Sequence, residues 1–253
     1  MVVAVDHGEF DGPLPGMVNL PEVVKNIDPE VSAVLLSPGM LRHCGHAVAY
    51  KGAPLAIVRL NWSTVYCFHW DYNEAETVPV VGADEAVAAG ADLALVSLTL
   101  QTGSEGRDAD NVQLFCDLAS EARGLGLPVV GEFFPARSSA LTMEELHDQV
   151  RTGCRVLAEL GADLVKTFYT LRFREVTEAC PVPVLGLGSD KTPTLLQALE
   201  LAEKIVQGGG KGVVFGRNAI QVPNPTAFQR ALCDVVKRGI TAARAASEHE
   251  LRG

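Results

Sequence analysis

Gly161-Ala-Asp-Leu-Val-Lys-Thr-Phe168 reads as a helix stop followed at once by a strand. Glycine suits the left-handed turn that ends a helix, and the apolar, β-branched run after it suits a strand. The same unit occurs earlier as Gly90-Ala-Asp-Leu-Ala-Leu-Val-Ser97, so the chain repeats a helix–glycine–strand step. Working outward, eight such β-rich runs appear: Val2–Val5, Ala33–Ser37, Leu55–Leu60, Leu93–Leu98, Pro128–Phe133, Leu164–Phe168, Val182–Leu185 and Val213–Phe215. They are nearly continuous in apolar character, as strands buried on both faces are.

Helical patterns fill most of the gaps. Asn111–Arg123 carries apolar residues near 3.6 spacing, and Thr142-x-x-Glu145 is a capping box opening a helix to about Leu160. Thr194–Val206 and Thr226–Val236 repeat the pattern, while 41–52 and 171–179 are weaker helices. Eight alternations imply parallel strands joined by right-handed crossovers. No Gly-x-Gly-x-x-Gly follows the first strand, so a closed (β/α)8 TIM barrel is expected rather than an open doubly wound sheet. No linker interrupts the pattern, and residues 1–253 are expected to form one α/β domain.

Composition narrows the function classes. Apolar residues make up 47% and charged residues 21%, enough for a substantial core. A net charge of −10 with no basic run argues against a nucleic-acid partner. No apolar run is long enough to span a membrane. Cysteines 44, 67, 116, 154, 180 and 233 include no Cys-x-x-Cys pair and read as reduced thiols of a cytoplasmic protein. The N-terminus lacks signal-peptide features, and its abrupt entry into a strand leads us to expect residues upstream, missing or disordered.

Barrel active sites lie at the carboxyl ends of the strands. Those ends are Asp6-His7-Gly8, Ser37-Pro38-Gly39, Arg59-Leu60-Asn61-Trp62, 99–103, 132–135, 166–169, 186–189 and Gly216-Arg217-Asn218. Lys166 is the most informative, because it interrupts an apolar run with little water on either face. A buried ammonium must be paired or lose its proton. Two readings follow: an amine nucleophile toward carbonyls, or a structural lysine paired with Asp6 or Glu132.

Gly186-Leu-Gly-Ser189 and Gly216-Arg-Asn218 follow the seventh and eighth strands, where barrels usually bind phosphate with backbone N–H groups and a helix N-terminus. Either they cradle a phosphorylated small molecule, with Arg217 adding charge, or the glycines merely turn the chain and Arg217 pairs with a surface acid. His43 and His46 flank Cys44, a cluster that could bind zinc but more often is solvated helix surface, so no metal or cofactor is assigned. The aromatic stretch Asn61–Tyr72 fits an active-site lid or an oligomer contact.

Taken in order, Val5-Asp-His-Gly8, Gly12-Pro-x-Pro-Gly16, Leu36-Ser-Pro-Gly39, Gly161-Ala-Asp-Leu-Val-Lys-Thr-x-Tyr169, 183–189 and Gly216-Arg-Asn218 resemble the archaeal-type class I fructose-bisphosphate aldolases. Aminodideoxyheptulosonate synthases and an autoinducer-processing enzyme belong to the same superfamily. The resemblance covers essentially the whole chain. It implies that Lys166 is the Schiff-base lysine and that Asp6 assists proton transfer or orients it. It places Gly188, Ser189, Gly216 and Arg217 on the phosphate, and implies a homo-oligomer, often a decamer.

One departure matters. The aldolases end the fifth strand in Tyr-Pro, the tyrosine being their general acid/base, whereas this chain has Phe134-Pro135. Glu132, two residues earlier on the same strand face, either takes that role or the phenylalanine signals a different reaction. The expected activity is a class I aldolase acting on a ketose phosphate or dihydroxyacetone-phosphate-like unit. The alternatives are a carbon–carbon transferase or thiolase-like relative using the same lysine, and a non-catalytic sugar-phosphate sensor.

Overall fold

The computed structural model describes residues 1–72 and 74–251. Among them lie strands β1 Val2–Ala4, β2 Ala33–Leu36, β3 Leu55–Arg59, β4 Asn61–Ser63, β5 Thr77–Pro79, β6 Leu93–Leu98, β7 Val129–Phe133, β8 Leu164–Phe168, β9 Val184–Leu187 and β10 Gly212–Phe215. Eight of the ten close a parallel barrel in the order β1-β2-β3-β6-β7-β8-β9-β10, with β10 paired back to β1. These are the eight runs read from the sequence. The remaining two, β4 and β5, form a small antiparallel hairpin beside the barrel mouth, inside and just after the aromatic stretch.

The helices in chain order are α1 Gly8–Asp11, α2 Leu20–Val23, α3 Pro38–Cys44, α4 Ala83–Ala88, α5 Glu105–Gly124, α6 Met143–Glu159, α7 Phe173–Ala179, α8 Leu195–Gln207, α9 Arg217–Ile220, α10 Pro225–Arg238 and α11 Ala242–Glu248. Both Thr142 and Thr194 complete capping boxes, with Glu145 and Gln197. Several boundaries differ from the sequence reading, and two of the differences have a plain cause. β9 starts two residues later than expected, after Pro181 and Pro183, which have no N–H to give a ladder. α5 starts at Glu105, capped by Ser104, because its first turns are polar and carry no apolar period. No helix among the described residues is long and apolar enough to cross a membrane.

Strand residues alternate between two cores. Val3, Val34, Val58, Val96, Phe133 and Val165 face the helices, while Ala4, Leu35, Ile57, Leu95 and Val130 fill the barrel, with Leu164 packed against them. The outer contact is tight: a Cβ added at Gly153 of α6 would lie 2.2 Å from the Phe133 ring. Gly153→Ala is therefore expected to lower stability by about 1–3 kcal/mol, the usual cost of overpacking, read as a shift in the urea midpoint at constant slope.

Candidate active site

The same alternation places the site. Two residues beyond Ala4, Ile57, Leu95, Val130 and Leu164, each facing the barrel interior, stand Asp6, Arg59, Ser97, Glu132 and Lys166. The barrel thus changes from apolar to polar in one step toward its carboxyl end. Ser97 is the register partner of Glu132, and Glu132 of Lys166, so these three form a row across adjacent strands.

A continuous ionic chain crosses this layer. Lys166 Nζ lies 2.6 Å from Glu132 Oε1. The other carboxylate oxygen of Glu132 accepts from Arg59 Nη2 at 2.6 Å, and Arg59 Nε donates to Asp6 Oδ2 at 2.8 Å. All four side chains are buried, Arg59 at 1% exposure and Lys166 at 6%. Two cations alternate with two carboxylates, and only such pairing makes burial of four charges tolerable. The guanidinium is further flanked by Tyr66 and Phe10, at 4.7 and 5.1 Å from their ring centres.

Burial alone would raise the pKa of both carboxyls, but the neighbouring cations outweigh it. Glu132 is held below the usual carboxylate range by Lys166 and then Arg59, and Asp6 by Arg59 and then Lys166. Burial lowers His7 despite Asp6 at 3.9 Å, which favours the neutral imidazole. Glu9, just outside the chain, is pushed up to about 8 by burial.

Asp6, Glu132, Lys166, Gly188, Ser189, Gly216 and Arg217 all line one cavity of about 360 Å³. The loops after β9 and β10 are stitched together by Asn218, whose Nδ2 donates to Gly188 O and Asp190 O and whose Oδ1 accepts from Thr192 N. Ser189 holds φ +49°, and Gly216 caps α9. A Cβ at Gly216 would meet His7 Cε1 at 2.2 Å and Ala4 O at 2.8 Å, so only glycine fits there. Arg217 Nη2 donates to Ser189 O and pairs with the exposed Asp190 at 3.2 Å, and its buried Nε has no hydrogen-bond partner among the described residues. The surface-acid pairing considered for Arg217 is therefore present, yet the residue stays at the cavity wall.

Phe134 also lines the cavity, its ring 4.8 Å from Phe168 and 4.6 Å from Tyr66, so it and Glu132 share a face as expected. Tyr169 instead packs on Phe173, and His46 Nε2 lies 3.1 Å from Pro21 O. Phe68 lines the same cavity, while Trp70 and Tyr72 stack on each other with about half their surface exposed. Sequence reading placed Arg59 only among the strand ends and Tyr66 only within the aromatic stretch, and gave neither a role of its own. The signal for Arg59 was the one used for Lys166, a charge inside an apolar strand run; Tyr66 had no comparable signal.

A parallel barrel with an interior lysine, buried carboxylates beside it and glycine loops after its last two strands brings an amine and a wall of backbone N–H groups to one cavity, an arrangement that suits an enzyme acting on a small carbonyl compound. Residues 1–222 match the DeoC/LacD family aldolase model, and the chain belongs to that family. It is 30% identical over 242 residues to an uncharacterised aldolase of Saccharolobus solfataricus, covering 93% of this chain and 89% of that one. It is 31% identical over 250 residues to the 2-amino-4,5-dihydroxy-6-oxo-7-(phosphonooxy)heptanoate synthase of Streptomyces griseus, covering 96% and 88%. Among solved structures, a Schiff base-forming fructose-1,6-bisphosphate aldolase superposes with a TM-score of 0.77 at 26% identity, over 93% of each chain.

Proposed function

We propose that the protein is a class I aldolase whose Lys166 forms a Schiff base with a ketose phosphate or a dihydroxyacetone-phosphate-like compound. The observation that carries this reading is the position of Nζ, inside the barrel mouth, open to the cavity and 2.6 Å from Glu132. Glu132 is held ionised, so it serves as the acceptor for the ammonium proton when Lys166 attacks the substrate carbonyl. The amine nitrogen adds to the carbonyl carbon, water leaves, and the resulting iminium takes up the electron pair released as the carbon–carbon bond breaks. Asp6 orients the system through Arg59. Incubation with dihydroxyacetone phosphate and borohydride tests the reading: covalent incorporation and loss of activity support it, and no incorporation refutes it.

The phosphate is assigned to Gly188, Ser189, Gly216 and Arg217. Both the synthase and the bisphosphate aldolase carry phosphorylated compounds in their names, and the free Nε of Arg217 supplies an unspent donor. Arg217→Ala is expected to weaken phosphorylated ligands by about 1.5–3 kcal/mol, the worth of a hydrogen bond to a charged group. Unphosphorylated analogues should be nearly indifferent in the same titration. Equal losses for both would mean that Arg217 only braces the loop at Asp190.

Phe134 favours keeping a second reading in view. A ring that cannot exchange a proton faces Lys166's cavity, which suits a transferase using the same imine with another acceptor. Product analysis separates the two: free aldehyde for an aldolase, a transferred carbon unit for the alternative.

A further inference from the structure

Tyr66 ends the short turn Thr64–Tyr66 that follows β4, and its ring enters the cavity wall between Phe10, Phe134 and the Arg59 guanidinium. The residue is 6% exposed. Its hydroxyl is buried beside Ser97 and Arg59 but makes no hydrogen bond of sound geometry with either. An unpaired buried hydroxyl is costly, so its retention needs a reason.

The geometry supplies one. Ser97 belongs to the row Ser97–Glu132–Lys166, so a hydroxyl beside it lies next to the strand that carries Glu132, with the strand of Lys166 one further on. Glu132 has both oxygens engaged, one by Lys166 and one by Arg59, and holds no proton to give. Burial, and then the negative charge of Glu132, keep the phenol protonated well above its ordinary range. The site thus contains an acceptor, Glu132, and a separate donor beside Ser97 and Arg59.

We propose that Tyr66 is the proton donor of the carbon–carbon step. The proposal rests on the Schiff-base reading. As the enamine carbon attacks the partner's carbonyl carbon, the carbonyl π pair moves to oxygen and takes the Tyr66 proton. The enamine nitrogen becomes the iminium, and the phenolate left behind is stabilised by the Arg59 guanidinium until water reprotonates it. In cleavage the same oxygen receives the hydroxyl proton.

The test is Tyr66→Phe, assayed with dihydroxyacetone phosphate and, as probe aldehydes, glyceraldehyde 3-phosphate and glycolaldehyde. Aldol turnover should fall by roughly 10²–10⁴-fold, the usual worth of acid–base help. Borohydride trapping at Lys166, and exchange of the donor's α-proton with deuterated solvent, should stay within a few fold, because neither involves the partner's oxygen. Moving the hydroxyl to the adjacent ring, in Tyr66→Phe/Phe134→Tyr, should restore part of the turnover, which a purely structural role for Tyr66 would not allow. Unchanged turnover in Tyr66→Phe overturns the proposal, and so does a parallel loss of trapping and exchange. Trapping without aldol turnover in the unmodified protein overturns it too. Absence of trapping in the unmodified protein overturns the Schiff-base reading and this one with it.

Discussion

Lys166→Met is expected to reduce carbon–carbon turnover by at least about 10⁴-fold while the chain stays folded, since a covalent nucleophile has no substitute in the layer. Methionine matches the unbranched lysine stem and fits the same slot. The loss of the ammonium leaves Glu132 bonded to Arg59 through its second oxygen, so the carboxylate is not orphaned. Lys166 is, however, the strongest influence lowering Glu132, and its removal should let that carboxyl titrate at higher pH. Wild-type Glu132, lowered in the fold, contributes stability above the unfolded carboxylate pKa and loses it as pH falls through its folded value. In Lys166→Met this loss should begin at higher pH, visible as acid unfolding that starts earlier. Circular dichroism and steady-state kinetics on one preparation separate the two effects. Turnover above about one-hundredth of wild type would show that another group performs the chemistry.

The largest stability effect should come from Arg59→Met. Arg59 joins two carboxylates that have few other partners, and removing one member of a buried ionic set costs about 3–5 kcal/mol. Lys166 would remain to serve Glu132, whereas Asp6 would keep His7 at 3.9 Å and the charge of Lys166 beyond Glu132. The expected result is a stability loss of that size at neutral pH. It should begin to shrink below about pH 4, where unfolded carboxylates protonate, and go on shrinking as pH falls through the lowered folded values of Asp6 and Glu132. A loss that is the same at pH 3.5 and pH 7 would assign the effect to the packing of Phe10 and Tyr66 on the guanidinium instead.

Much of this was legible in the chain. Glycine-stopped helices and apolar strand runs specify alternation, alternation specifies a parallel barrel, and the barrel directs attention to strand ends, where Lys166, Asp6 and Glu132 do converge. The prolines at 181 and 183 were visible too, but an apolar period cannot show where ladder pairing begins. Partners across the barrel were not legible. Arg59 and Glu132 are 73 residues apart, and nothing local in either strand says which cation bridges which acid. Tyr66 was hidden for another reason: one aromatic among several in a long connection, it is sorted from Trp70 and Tyr72 only by the hairpin of β4 and β5, which fixes where the turn enters the mouth.

The central claim is that Lys166 carries the imine. It is tested most directly by reducing the complex with dihydroxyacetone phosphate using borohydride, digesting it, and mapping the modified lysine by mass spectrometry. The account predicts a single modified peptide containing Lys166 and none in Lys166→Met. Modification at exposed Lys191 or Lys211, or labelling that survives the Lys166→Met substitution, would contradict it.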